Sequence, residues 1–172
     1  MPLTKKRYLV LGSTGLVGSA FLNLYRKSII TAGRNNCDFK LDLTSQYQIE
    51  DIIRNIPADV VINFAAYTNV DEAEKQKGNL KSPPYILNAR VPVWLAKACA
   101  KNHKYFIHIS TDYVFDGRQE DRPYTETDPA EPLNSWYSKT KRLGEIAIKK
   151  VFSKDKGWAI IRISFPYANY YK

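Results

Sequence analysis

A short apolar run that leads straight into a glycine loop constrains the fold of this chain more than any other feature. Residues 7–12 are mostly apolar and end at a glycine, which is typical of a fully buried parallel strand. The loop Gly12-Ser13-Thr14-Gly15-Leu16-Val17-Gly18 follows, and residues 16–27 show helical spacing of apolar residues. The first glycine permits a tight turn, the middle one a close approach of backbone to ligand, and the last one close packing of helix on strand. The sequence therefore predicts a strand–turn–helix unit.

The alternation of strand and helix continues to the end of the chain. Further short apolar runs predict strands at residues 28–32, 59–65, 105–110 and 158–164. Apolar stripes predict three further helices. The first starts after Thr44 or Ser45 and ends at Pro57, and the second covers residues 87–98 with a start or kink at Pro92. The third covers residues 136–152. Repeated strand–helix units favour an α/β fold with a doubly wound parallel sheet, the Rossmann fold, which binds ligands at the carboxyl ends of its strands.

The composition favours an anionic ligand and argues against several classes of protein. The formal net charge is +9, from 26 Lys and Arg against 17 Asp and Glu, and such a surplus attracts polyanions. Nucleic acid is an alternative that we set aside, since no helix-turn-helix, finger or RNA-binding signature accompanies the charge. No apolar run reaches transmembrane length, and the run after residues 5–7 is too short for a signal peptide.

The cysteines and histidines give no metal-ligand spacing. Cys37 and Cys99 are far apart in the sequence, and neither belongs to a set with the spacing of a metal site. His103 and His108 are assigned structural roles for the same reason. We expect a cytoplasmic protein with reduced thiols, no membrane partner and no metal site.

The glycine loop and the helix behind it form a candidate dinucleotide site. A helix N-terminus offers N–H groups and partial positive charge to a pyrophosphate, and a plain strand-to-helix turn is the alternative. A carboxylate roughly 20 residues after such a loop would bind the ribose 2′-hydroxyl of NAD, but this chain has Arg34 after its second predicted strand. Because a guanidinium can bind a 2′-phosphate in bidentate fashion, we expect NADPH as the cofactor. NADH is the alternative if Arg34 is a solvated surface residue.

A tyrosine and a lysine form a candidate proton-transfer pair. Tyr137 and Lys141 are spaced i and i+4 in a predicted helix, so they lie on one face, and Gly144 and Ile148 extend that face toward the protein body. The pKa of a free tyrosine is near ~10, and a neighbouring ammonium together with an oxidised nicotinamide would lower it. Thr111 ends a predicted strand and offers its hydroxyl to a substrate oxygen, with Ser110 as the alternative donor. The alternative is a half-buried tyrosine beside a solvated lysine.

With these motifs the chain resembles the extended short-chain dehydrogenase/reductases, and among them the reductases of nucleotide-linked 4-keto sugars. The likeness covers nearly the whole chain, and its most specific part is the run HISTDYVFDG at residues 108–117. It is also carried by Asp42-Leu43, by residues 61–68, 70–71, 123–126 and 132–134, and by Tyr137, Lys141, Gly144 and Glu145.

The resemblance implies a catalytic set of Thr111, Tyr137 and Lys141. It also implies that, besides the glycine loop, Arg34, Tyr137 and Lys141, the cofactor contacts Asp42, Leu43, Ala65, Ala66 and Tyr67. The implied reaction is hydride transfer from NADPH to the C4 ketone of a dTDP-linked deoxysugar, dTDP-4-dehydro-L-rhamnose, while Tyr137 donates a proton to the oxygen. Related dehydratases have glutamate where this chain has Tyr113, so the resemblance favours simple reduction over loss of water.

Residues 1–172 are predicted to form one NAD(P)-binding domain, the amino-terminal part of such a reductase. Family members continue into a region that holds the sugar nucleotide, so we expect this chain to lack most of that region, to bind cofactor and to turn over poorly. Ile161, Ile163 and Phe165 are then expected to stay uncovered and to favour self-association. The alternatives are a non-catalytic regulatory or truncated homologue, or another sugar-nucleotide reductase or epimerase. A homodimer is left open.

Overall fold

The computed structural model of the chain describes residues 6–25, 28–119, 122–132, 135–153, 156–164 and 166. The strands are β1 (Tyr8–Leu11), β2 (Ile29–Gly33), β3 (Phe39–Lys40), β4 (Val60–Asn63), β5 (Tyr105–Thr111) and β6 (Trp158–Ile163). The helices are α1 (Leu16–Leu24), α2 (Gln46–Asn55), α3 (Val70–Glu74), α4 (Pro83–Tyr85), α5 (Val91–Lys101) and α6 (Trp136–Val151). A π turn at Ile86–Arg90 joins α4 to α5, and a 3-10 turn at Asp112–Val114 follows β5.

In the described part of the chain, six strands form one sheet in the order β3-β2-β1-β4-β5-β6, and every pair is parallel. The predicted α/β fold with a parallel sheet is therefore confirmed. Leu11 at the end of β1 lies in register with Ala32 of β2 on one side and with Asn63 of β4 on the other. The order in which the strands are added to the sheet reverses between β1 and β4. A ligand-binding crevice forms at such a reversal.

Both faces of the central strands are buried, which explains why their sequences are continuous apolar runs rather than alternating ones. One face packs against the apolar sides of α2, α5 and α6, in a core that includes Leu9, Ile53, Leu95 and Ile148. The opposite face packs Val10 and its neighbours on β4 against the aromatic rings that include Phe21 of α1. The sheet is therefore covered by helices on both sides, as predicted.

Helix α2 follows its sequence signals closely. Ser45 is the N-cap, and its hydroxyl accepts a hydrogen bond from the backbone N–H of Gln48 at 3.3 Å. The helix ends at Asn55, two residues before Pro57. Proline cannot continue the hydrogen-bond ladder, so the predicted end is confirmed.

The structure adds detail to the sequence prediction in three places. Strand β3 was not predicted, because two exposed residues carry no periodicity. The polar segment after residue 69 begins with the short helix α3, which Asn69 caps. Pro92 lies in the first turn of α5, immediately after the π turn, so the predicted start or kink at Pro92 is confirmed. Residues 26 and 27 of the first predicted helix, and Phe165, lie outside the described residues.

Within those ranges no helix has both the length and the apolar content needed to cross a membrane.

Candidate active site

A cleft of about 1080 Å³ opens at the carboxyl ends of β1, β2, β4 and β5. All the residues that the sequence analysis assigns to cofactor binding or catalysis line it. These residues are Gly12, Ser13, Thr14, Gly15, Leu16, Val17, Gly18, Arg34, Asp42, Leu43, Ala65, Ala66, Tyr67, Thr111, Tyr137 and Lys141. They come together because parallel strands place their carboxyl ends on the same edge of a sheet. Their roles remain predictions, whereas their common location is a feature of the structure.

Two of the loop glycines are required by close backbone packing. Gly12 has φ +75°, and a Cβ there would lie 2.5 Å from the backbone nitrogen of Ala65. A Cβ on Gly18 would lie 2.2 Å from the carbonyl oxygen of Gly12. The tight turn and the close packing of α1 on β1 are thus confirmed. A Cβ on Gly15 would meet only ordinary contact at 3.5 Å, so its expected role, access for a ligand, stays a prediction.

The N-terminus of α1 faces the cleft without a side-chain cap. Ser45, Asn69 and Ser135 cap α2, α3 and α6 through their side chains. No side chain of the described residues does so for α1. Its first-turn N–H groups, those of Leu16 and Val17 among them, therefore lie at the cleft with partial positive charge, which is an arrangement that suits phosphate oxygens.

Arg34 and Asp42 form the polar end of the cleft beyond β2. The Asp42 carboxylate accepts hydrogen bonds from the backbone N–H and the hydroxyl of Thr44, at 2.9 and 2.8 Å. These bonds hold the pKa of Asp42 below its usual value, and the charge of Arg34 acts in the same direction. Arg34 is exposed and forms no ion pair with the described residues. Its guanidinium can therefore bind an anion in the cleft.

Two caps from different parts of the chain fix the first turn of α6, which carries Tyr137. The hydroxyl of Ser135 accepts the N–H of Ser138 at 3.1 Å. The carboxylate of Glu74, at the end of α3, accepts the N–H of Trp136 at 2.6 Å. Negative charge at a helix N-terminus is stabilising, so Glu74 both caps α6 and links it to the segment after β4.

Burial raises the pKa of Tyr137, and the charges of Asp112 and Tyr113 act in the same direction. A hydrogen bond with Thr111 favours the phenolate but only partly offsets the burial. Nζ of Lys141 donates to the carbonyl oxygen of Ile109 at 2.7 Å, on β5. The expectation that this lysine and an oxidised nicotinamide together lower the pKa of Tyr137 stays a prediction.

Lys141 lies at the floor of the cleft with only 2% of its surface exposed. Burial lowers its pKa from 10.5 to about 8, and the negative charge of Glu145 partly opposes that change. The helix face that carries Lys141 packs tightly, since a Cβ on Gly144 would lie 2.3 Å from the carbonyl oxygen of Asn88. The prediction that this face lies against the protein body is confirmed, and the alternative of a solvated lysine is excluded.

Three buried polar residues beside the site received no site role from the sequence, which assigned His108 only a structural one. His108 lies with Nε2 3.5 Å from Nζ of Lys141, and its Nδ1 lies 3.1 Å from Nδ2 of Asn63. Asn88 accepts the N–H of Tyr67 at 2.8 Å and donates to its carbonyl oxygen at 3.0 Å, which fixes the cleft wall after β4. The available signal was a polar residue in an otherwise apolar strand or helix stripe, because a buried polar group requires a partner.

Glu145 joins α6 to the edge strand β6. It is fully buried, and Arg162 donates to its two carboxylate oxygens at 3.0 and 2.8 Å, while Arg142 adds a bond of 3.1 Å. Burial alone would raise the pKa of Glu145, but the hydrogen bonds from Arg162 and the charges of both arginines hold it below its usual value. The ion pair of Glu145 with Arg162 fixes the position of β6 beside α6. No group of His, Cys, Asp and Glu within the described ranges could hold a metal ion.

The strand order and the glycine turn define a Rossmann fold with a cleft at its topological switch point. Residues 6–172 match the family described as the RmlD substrate binding domain. The chain belongs to this family.

Several relatives carry the name dTDP-4-dehydrorhamnose reductase. The one from Mycobacterium tuberculosis is 37% identical over 171 residues, which cover 94% of this chain and 51% of the relative. The one from Escherichia coli K12 is 33% identical over 162 residues, which cover 93% of this chain and 51% of the relative. The crystal structure of the Bacillus anthracis protein of the same name, in complex with NADP, superposes with a TM-score of 0.83 at 29% identity. That match covers all of this chain and 58% of the solved one. The chain thus spans about half the length of these relatives.

Proposed function

We propose that this chain is the cofactor-binding and catalytic part of a reductase that uses NADPH to reduce the C4 ketone of a nucleotide-linked sugar, namely dTDP-4-dehydro-L-rhamnose. The observation that carries the proposal is the placement of Thr111, Tyr137 and Lys141 in the same cleft as the glycine loop and Arg34. The names of the relatives and the NADP in the Bacillus anthracis structure support the choice of substrate and cofactor.

The residues of the cleft fit a phosphorylated dinucleotide. The close turn at Gly12 and the uncapped start of α1 offer N–H groups to a pyrophosphate. The guanidinium of Arg34 can donate two hydrogen bonds to a 2′-phosphate. The carboxylate of Asp42, which accepts hydrogen bonds from Thr44, lies at the same end of the cleft. When bound, NADPH supplies the hydride.

The side chains at the other end of the cleft supply the proton. Because burial raises the pKa of Tyr137, the phenol keeps its proton at neutral pH and can donate it to the oxygen of a reduced ketone. The side chain of Thr111 is hydrogen-bonded to Tyr137. We expect Thr111 to orient a substrate oxygen beside the phenol. Lys141, held by Ile109, can donate to the ribose hydroxyls of the cofactor.

Cofactor affinity tests the role of Arg34. Fluorescence titration of the 172-residue chain should show tighter binding of NADPH than of NADH. Arg34→Ala should weaken NADPH binding by roughly 10- to 100-fold, since a hydrogen bond to a charged group contributes about 1.5–3 kcal/mol, and should leave NADH binding unchanged. Arg54→Ala, which alters an exposed arginine on α2, is the matched control. Equal affinities of the wild type for both cofactors would contradict the role of Arg34.

Oxidation of NADPH, followed by its absorbance in the presence of dTDP-4-dehydrorhamnose, tests the catalytic proposal. We expect slow turnover that Tyr137→Phe reduces by about 10²–10⁴-fold, with NADPH binding retained. Tyr47→Phe, at an exposed tyrosine of α2, should have no effect. Binding of NADPH without any oxidation would instead support a non-catalytic cofactor-binding protein.

A further inference from the structure

A chain of buried polar groups leads from the cofactor wall of the cleft to Lys141. The backbone N–H of Ala65, which lines the cleft, donates to Oδ1 of Asn63 at 3.1 Å. Nδ2 of Asn63 lies 3.1 Å from Nδ1 of His108, and Nε2 of His108 lies 3.5 Å from Nζ of Lys141. Asn63 and His108 are opposite each other in the register of β4 and β5, and both are fully buried.

The contacts of these buried polar groups determine which ring nitrogen of His108 carries the proton. Oδ1 of Asn63 accepts from Ala65, so the amide group that faces His108 is the donor Nδ2. Nδ1 of His108 must then be an acceptor. Burial is the largest cause that lowers the pKa of His108 well below its ordinary value, so the ring is neutral. A neutral ring with an accepting Nδ1 carries its proton on Nε2, the nitrogen that faces Lys141.

An Nε2–H group affects the two forms of Lys141 differently. It can donate to the lone pair of a neutral amine, which keeps its own N–H for the carbonyl oxygen of Ile109 at 2.7 Å. An ammonium has no lone pair, so two donors would face each other in a buried site. The imidazole therefore favours the amine over the ammonium.

We propose that Asn63 and His108 are positioning residues, which hold Nζ of Lys141 at the floor of the cleft and, through the Nε2–H tautomer, oppose its protonation. The use of this arrangement in catalysis rests on the proposed function, since it sets the position of the Nζ that would donate to the cofactor ribose. Burial acts on Lys141 in the same direction.

The other charged groups near Lys141 do not change this reasoning. Glu145, one turn further along α6, favours the ammonium. Its carboxylate, however, is hydrogen-bonded to Arg162 from β6 and to Arg142 on α6. Among the described residues, His108 of β5 is the titratable side chain within 3.5 Å of Nζ.

Histidine side-chain ¹⁵N NMR tests the tautomer without cofactor or turnover. In the wild type we expect the neutral Nε2–H pattern for His108 between about pH 6 and 8, and a midpoint for the ¹³Cε titration of Lys141 near pH 8. Lys141→Met assigns that lysine signal, and His103→Gln, at an exposed histidine, assigns the other imidazole and serves as the control.

Asn63→Asp is the decisive variant because it is nearly isosteric and replaces the donor Nδ2 with an acceptor. We expect the proton of His108 to move to Nδ1, and the midpoint of Lys141 to rise by about one pH unit or more, since Nε2 can then accept from the ammonium. His108→Gln, which can offer an oxygen to Lys141, should raise the midpoint as well, and it is the second test if Asn63→Asp does not fold.

An Nδ1–H tautomer in the wild type would overturn the proposal, whatever the variants do. So would a tautomer change in Asn63→Asp that leaves the Lys141 midpoint unmoved. These NMR measurements need neither cofactor nor substrate. Failure of the cofactor assays would therefore contradict only the proposed function, and the NMR result alone decides the inference about His108.

Discussion

Replacing Gly12 by alanine tests whether the ends of β1 and β4 approach as closely as the structure shows. The new Cβ would lie 2.5 Å from the nitrogen of Ala65 and 2.8 Å from the carbonyl carbon of Phe64. Neither backbone group can move freely. The N–H of Phe64 donates to the carbonyl oxygen of Leu11 at 2.9 Å, and that of Ala65 donates to Asn63.

Two costs add in Gly12→Ala. A left-handed backbone costs a residue with a Cβ roughly 1–2 kcal/mol, and φ at Gly12 is +75°. Forcing a methyl group into packed surroundings adds about 1–3 kcal/mol. Gly78 separates these terms, because its φ is +79° while nothing lies within 4 Å of its hypothetical Cβ. We therefore expect a loss of about 2–5 kcal/mol for Gly12→Ala and of about 1–2 kcal/mol for Gly78→Ala.

Urea unfolding of the wild type and both variants measures these free energies of unfolding. For a domain of this size 1 kcal/mol corresponds to roughly 2–4 °C in Tm, so thermal unfolding gives an independent check. Equal losses in the two variants would refute the reasoning, because the difference between them reports only the contact between the strand ends.

Ion pairing, burial and helix capping give three further expected outcomes. Arg162→Met should lower the free energy of unfolding by about 3 kcal/mol in urea, because it removes both hydrogen bonds that Arg162 donates to the buried Glu145. A loss below about 1 kcal/mol would contradict this. The folded pKa of Lys141 is about 8 against an ordinary 10.5, so the unfolded chain binds more protons between these values and stability should rise with pH there. Lys141→Met should remove that rise, and identical slopes would argue against the lowered pKa. Ser45→Ala should lower the free energy of unfolding by about 1 kcal/mol through loss of the α2 cap. The control Ser153→Ala, at an exposed position, should leave the urea midpoint unchanged. Equal midpoints for both variants would count against the cap.

The parallel sheet and the membership of the cleft could be predicted from the sequence because the signals are local. An apolar run of four to seven residues predicts a buried parallel strand, and the residue that follows it must lie at the ligand edge. The glycines could be interpreted for the same reason, since the spacing of Gly12 and Gly18 reflects a turn within one strand–helix unit. Strand β3 lacked such a signal, because its two residues depend on pairing with β2.

The electrostatics of the catalytic pair could not be predicted from its spacing. Residues at i and i+4 share a helix face, but the direction of the Lys141 amine depends on Ile109 and His108, which come from another strand. The pKa of Tyr137 depends on how deeply α6 packs, which is a property of the whole fold. The pairing of Glu145 with Arg162 is likewise invisible in the sequence, since seventeen positions separate the two.

The π turn between α4 and α5 places a length constraint on the chain. A π turn contains one residue more than regular α-helix, and this residue sets the rotation of Asn88 relative to α5. Deleting Ala89 would restore a regular helix while turning Asn88 by about 100° about the axis, away from the backbone of Tyr67. The shortened helix would be regular, but Asn88 would no longer hold the backbone of Tyr67 in the wall of the cleft. We therefore expect this segment to tolerate substitution of its exposed side chains far better than the loss of a single residue.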